Sequence, residues 1–167
     1  MSVTKKYLSL IKFSHTIFAM PFALIGFFLG VKQSPAFSVQ RLAILLILVL
    51  LCMIFARSAA MAFNRYLDRS FDAKNPRTAI REIPAGLLKA NSVLLFTIIN
   101  SLLFITCTFF INKICFYLSP VALAVILGYS FTKRFTPLCH LVLGLGLSLA
   151  PIGAYLAVTG KFDVLPI

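Results

Sequence analysis

Three oxygen-bearing side chains, Asn64, Asp68 and Asp72, stand four residues apart in the stretch NRYLDRSFDAKNP. On a helix, the spacing i, i+4, i+8 aligns them along one face. The chain has only 4 Asp and Glu against 16 Lys and Arg in 167 residues, so two carboxylates placed together need a reason. At i and i+4 they repel by roughly a few tenths of a kcal/mol on an exposed helix, and by more beside a membrane. One offset is electrostatic, with Arg65 and Arg69 making the stripe part of a solvated charged face. The other is a divalent cation, because Mg²⁺ takes hard oxygen ligands, commonly one or two carboxylates with waters and phosphate oxygens completing its octahedron. Basic residues around an acidic stripe suit a metal diphosphate: carboxylates hold the cations, while Arg and Lys grip phosphate oxygens. A lipid diphosphate would match both this motif and an apolar chain.

Other reactive side chains carry less information. Arg57 lies seven residues before Asn64, on the same helical face, within an apolar run. An arginine there is costly and faces a polar interior more readily than it snorkels to the lipid side. His15 has the chemistry of a general base but also fits an interfacial packing role. Cys52, Cys107, Cys115 and Cys139 show no CxxC or Cys/His ligand spacing and read as small packing residues.

The elements that position these residues follow from hydropathy. With 60% hydrophobic and 12% charged residues, and a mean hydropathy of +1.00, the chain is far more apolar than a soluble domain. Runs over 13–31, 42–63, 92–111, 114–131 and 138–158 are each about 20 residues, enough to cross the hydrocarbon as helices. The expected fold is therefore all-α, an integral membrane bundle of five helices. No ten-residue alternation suggests a barrel, and unpaired backbone groups exclude open strands in lipid. The first run is long, contains His15 and Pro21, and lacks an obvious cleavage site, so it counts as structure rather than signal peptide. Pro21, Pro120 and Pro151 are expected to kink their spans and open a cavity, while Gly144 and Gly146 suggest close helix contact. Residues 64–91 form the one sizeable polar block, read as a cytoplasmic motif loop, into which the second helix can extend until Asn75 and Pro76 stop it.

Charge sets the orientation. With the N-terminus cytoplasmic, that side receives Lys5, Lys6, Lys12, Arg65, Arg69, Lys74, Arg77, Arg81, Lys89, Lys133 and Arg134; the other receives Lys32, Arg41, Lys113 and Lys161. That asymmetry obeys the positive-inside rule and accounts for the net charge of +12 without nucleic acid.

Three stretches, IKFSHTIFAMPFALIG (11–26), RSAAMAFNRYLDRSFDAKNPRTAIREIPAG (57–86) and YSFTKRFTPLCHLVLGLGLSLAPIGAYLAVTG (129–160), together resemble the UbiA-type polyprenyltransferases. These are membrane enzymes that join an isoprenoid diphosphate to an aromatic acceptor. The resemblance implies that Asn64, Asp68 and Asp72 are the family's first aspartate-rich motif, NxxxDxxxD, binding Mg²⁺. It also makes Lys133 and Arg134 candidates for gripping diphosphate, against a plain positive-inside anchor. Arg57 and Arg69 become contacts for diphosphate or acceptor, with Arg69 equally able to screen the aspartates. The implied partners are a polyprenyl diphosphate, an aromatic acid such as 4-hydroxybenzoate, and the bilayer of the inner membrane.

The family has about nine spans and a second aspartate-rich motif, of which this chain matches the first half. The only acid after Glu82 is Asp163, expected on the non-cytoplasmic side. A complete site is therefore expected to need a further body, for instance a separately encoded second half. The alternatives are a menaquinone-pathway acceptor, a non-catalytic remnant, and a transporter, although a transporter would place its acids nearer mid-membrane.

Overall fold

The computed structural model describes residues 2–34, 37–136 and 138–163. Among these residues the chain is helical and has no strand, in the order α1 (Val3–Leu10), α2 (Phe13–Gln33), α3 (Val39–Lys74), α4 (Ala90–Ile111), α5 (Lys113–Thr132) and α6 (Cys139–Thr159). Five of them, α2 to α6, are long and apolar enough to cross a membrane, the number expected. The short α1 was not expected; Ser2 caps it, accepting from the Lys5 N–H, and Lys12 in the left-handed region turns the chain into α2.

At 36 residues α3 is the exception in length. A helix of that size is about 54 Å long, against roughly 30 Å of hydrocarbon, so its last turns project beyond the membrane. Residues 64–74, drawn as the start of the polar loop, are therefore helical, and the irregular segment runs from 75 to 89. The helix stops at Asn75, extended at φ −106°, ψ 118°, as the following proline requires. Asn75 then accepts from the Arg77 N–H at 3.0 Å, folding the chain back.

The spans close into a ring in which α2 packs between α3 and α6, and α4 and α5 complete the circuit, with α3 also touching α5. Connections are minimal: Asn112 alone separates α4 from α5, caps α5 through the Cys115 N–H at 2.8 Å, and donates to the Leu156 carbonyl of α6 at 2.9 Å. Pro120 deprives the Phe116 carbonyl of its helical donor, and the Ser119 hydroxyl supplies one at 2.8 Å.

Close helix contact falls on Gly26 and Gly30 rather than on Gly144 and Gly146. A Cβ at either of the latter would meet nothing within 4 Å, whereas one at Gly26 would lie 2.1 Å from the Pro151 carbonyl oxygen, and one at Gly30 3.0 Å from Val158 Cβ. The reason is geometric: positions i and i+4 share a face, while i and i+2 point apart. Ala19, Ala23, Gly26 and Gly30 thus form a small-residue stripe that lets α2 and α6 approach backbone to backbone. Large apolar side chains such as Phe28, Ile47 and Leu102 stay exposed on the outside, as lipid contact demands.

Gly26→Ala is expected to destabilise the bundle by roughly 1–3 kcal/mol through overpacking, lowering the thermal unfolding midpoint in detergent micelles. Gly144→Ala, which meets no neighbour, should leave the midpoint unchanged or raise it.

Candidate metal and diphosphate site

The projecting end of α3 carries the acidic stripe, and two other segments fold back onto it. The turn after α5 places Lys133 against Asp68, with the Lys133 Nζ donating to Oδ2, and brings Arg134 Nη2 to 3.7 Å from Asp68 Oδ1. Arg134 is itself held by the Leu67 carbonyl at 2.7 Å and by the Phe71 ring, 5.3 Å from the guanidinium. From the 75–89 segment, Arg81 Nη1 donates to Asp72 Oδ1 at 2.6 Å. That segment is anchored in turn: Thr78 donates to the Asp72 carbonyl at 3.1 Å, Ser9 of α1 to Glu82 at 2.5 Å, and Lys6 to the Leu87 carbonyl at 3.2 Å. A small apolar cluster of Leu10, Ala62 and Val93, with Tyr7, Ile83 and Leu88 packed around it, lies beneath.

Both aspartates are largely shielded, with side-chain exposures of 16% for Asp68 and 9% for Asp72. Asn64, one turn further back, donates to the Ser130 hydroxyl of α5 at 3.4 Å, leaving its amide oxygen outside that bond. Arg69 turns away, donating to the Tyr66 carbonyl at 2.6 Å and lying 4.3 Å over the Tyr66 ring. The screening of the aspartates expected of Arg69 is supplied instead by Lys133, Arg134 and Arg81. Arg65, also on α3, is buried, has an Nε without a hydrogen-bond partner, and lies within electrostatic reach of Asp68, Asp72, Glu82 and Arg81.

The donors fit a hard divalent cation. Asp72 Oδ2 is buried and has no hydrogen-bond partner, an expensive condition for a carboxylate oxygen that coordination would relieve. No group of three His, Cys, Asp or Glu converges among the described residues. The chain's own donors are two carboxylates and one amide, a number suited to Mg²⁺ when waters and phosphate oxygens supply the rest.

Beside the stripe a cavity of about 840 Å³ opens into the bundle. Asn64, Arg57, His15 and Tyr129 contribute its polar lining, while Phe22, Met53, Val125 and Leu147 represent its mainly apolar wall. Arg57 thus faces the cavity rather than lipid, and its Nε is buried without a hydrogen-bond partner. Pro151 is on the wall, and Phe162 lies beyond the end of α6. Asp163, near Phe162, accepts from the Tyr155 hydroxyl at 3.0 Å, well separated along α6 from the turn that carries Lys133.

Sequence gives Arg81 no place beside the motif and makes Arg65 part of a solvated charged face. Arg81 reaches Asp72 only through the fold of an irregular segment, while Arg65 looks like one more motif-flanking cation until its burial is known.

Comparison with known proteins agrees with this architecture. The model of the UbiA prenyltransferase family matches residues 19–167. A 4-hydroxybenzoate octaprenyltransferase of Tolumonas auensis is 41% identical over 108 residues, 65% of this chain and 38% of the relative; one from Neisseria meningitidis serogroup B is 38% identical over 105 residues. Among solved structures, the apo form of a UbiA homolog from Aeropyrum pernix K1 superposes with a TM-score of 0.80 at 31% identity, covering 90% of this chain and 53% of that one. A UbiA homolog from Archaeoglobus fulgidus, bound to DMAPP and Mg²⁺, shares the fold with a TM-score of 0.75 at 24% identity. The chain spans about half the length of these solved structures and less than half of the two octaprenyltransferases in alignment. With a family match over most of its length and a superposable helical ring, this chain belongs to the UbiA prenyltransferase family.

Proposed function

We propose that this chain forms the first metal and diphosphate jaw of a membrane prenyltransferase that moves a polyprenyl group from its diphosphate to an aromatic acid, 4-hydroxybenzoate, in quinone biosynthesis. The observation that carries the reading is an apolar cavity of about 840 Å³ that meets, at Asn64, the helix end whose carboxylates Asp68 and Asp72 are paired with cations. One end suits an isoprenoid chain and the other its diphosphate. The octaprenyltransferase names of the relatives and the DMAPP and Mg²⁺ of one structural neighbour support the same substrates and metal.

Asn64, Asp68 and Asp72 would hold Mg²⁺, which when bound supplies positive charge against the diphosphate as the allylic C–O bond breaks. Lys133 and Arg134 add charge from the turn after α5 and orient the phosphate oxygens. Arg57, at the inner edge of the polar lining, would contact the diphosphate or the acceptor carboxylate. The cavity wall excludes water from the allylic cation, so the aromatic ring is its available nucleophile. His15, on the same lining, has the basicity to take up the ring proton that substitution releases. The basic end of the bundle faces the cytoplasm of the inner membrane, with the N-terminus inside. A further helical body supplies the second aspartate-rich motif.

The test is transfer of a radiolabelled isoprenoid from its diphosphate to 4-hydroxybenzoate, with and without Mg²⁺, in membranes holding this chain alone or with a second half of the family fold. The expected result is Mg²⁺-dependent product when both halves are present, cut by at least about 100-fold in Asp68→Asn or Asp72→Asn. Turnover that ignores those substitutions would refute the metal assignment. Arg57→Gln should lower kcat/KM by about 10- to 100-fold, the worth of one charge-assisted hydrogen bond, without changing the amount of chain in the membrane. A fall in membrane-inserted chain that fully accounts for the lost turnover would instead make Arg57 a structural residue.

A further inference from the structure

The cations that touch the acidic stripe occupy the carboxylate oxygens a metal would use. Arg81 is the clearest case. Its guanidinium donates to Asp72 Oδ1 at 2.6 Å, leaving Oδ2 buried and without a hydrogen-bond partner. Its side chain is 31% exposed, so it has room to swing, whereas the backbone around it is pinned by Thr78, Ser9 and Lys6. A divalent cation arriving at Asp72 would meet this guanidinium as a like charge. Once the metal is in place, the carboxylate no longer needs Arg81, and Arg81 in turn needs an anion.

We propose that Arg81 is an exchangeable counterion: it holds Asp72 when no metal is bound and transfers to a diphosphate oxygen when the carboxylate takes the metal. Resting on the site reading above, the exchange adds a consequence that neither ligand gives alone. Metal without diphosphate binds against Arg81, and metal with diphosphate binds with its help. The segment 75–89 is then the sensor of diphosphate, because its guanidinium is the group that changes partner. Lys133 stands to Asp68 in the same relation on the opposite flank.

The exchange predicts effects of opposite sign from one substitution. With the full chain in lipid nanodiscs, Mn²⁺ binding read by electron paramagnetic resonance should become about 10-fold tighter in Arg81→Gln, within the usual range for coupled sites. Binding of pyrophosphate at saturating Mg²⁺, read by calorimetry, should become about 10-fold weaker in the same variant. Arg81→Lys, which keeps the charge and loses the fork, should fall between wild type and Arg81→Gln in both. Asp72→Asn should remove the tightened Mn²⁺ site. If Arg81→Gln weakens both ligands, Arg81 is a structural brace and the exchange is wrong; if it weakens pyrophosphate and leaves Mn²⁺ unchanged, Arg81 is a phosphate contact only. A chain that binds no Mn²⁺ in any form overturns the cation site itself, a result distinct from either.

Discussion

Two carboxylates one helical turn apart at a membrane edge cannot be left uncompensated, and much of this end of the protein is arranged around that fact. Among the described residues, neither Asp68 nor Asp72 forms an ion pair with a residue of its own helix, although Arg65 lies within electrostatic reach of both. Their ion pairs come from the turn after α5 and from the 75–89 segment, elements far from them in sequence or outside the regular helices. Electrostatics here is a folding constraint on connectivity: it ties the α5–α6 junction and the α3–α4 connection to the same projecting end of α3. The α1 contacts through Ser9 and Lys6 extend that tie to the N-terminus.

Within the hydrocarbon a different physics operates. Lipid is as apolar as leucine, so helices associate where their backbones can approach and where polar groups find partners. The stripe of Ala19, Ala23, Gly26 and Gly30 brings α2 onto α6, and Asn112 binds the α4–α5 corner to the same helix. These contacts leave the middle of the ring less completely filled, which is where the cavity lies. Arg57 is tolerated at that depth because it borders the cavity and not the lipid.

Much of this was legible in the sequence because it rests on local rules. Five apolar runs of spanning length, a four-residue repeat of oxygen ligands, and Asn75 followed by Pro76 prescribe five spanning helices and the end of α3. What was not legible depends on which faces meet. Gly144 and Gly146 resembled a contact motif but point to different sides of α6, while the working pair, Gly26 and Gly30, was unremarked in a Phe-rich helix. Arg69, inside the motif in sequence, stacks on Tyr66 away from it; Arg81, nine residues past Asp72, lies against it. Spacing along one helix can be read from sequence, but the return path of an irregular segment cannot.

The same distinction bears on why the site is built from more than one element. A cluster made from a single helix would have fixed geometry and could offer a metal one set of distances. Here the carboxylates sit on a rigid rod, while their counterions sit on segments outside the regular helices, with side chains between a quarter and a third exposed. The rod fixes the spacing of the two carboxylates, while the part-exposed cationic side chains have the freedom to change partner. Acids on one rod and cations on two flanking segments make a site whose charge is balanced across three elements rather than within one.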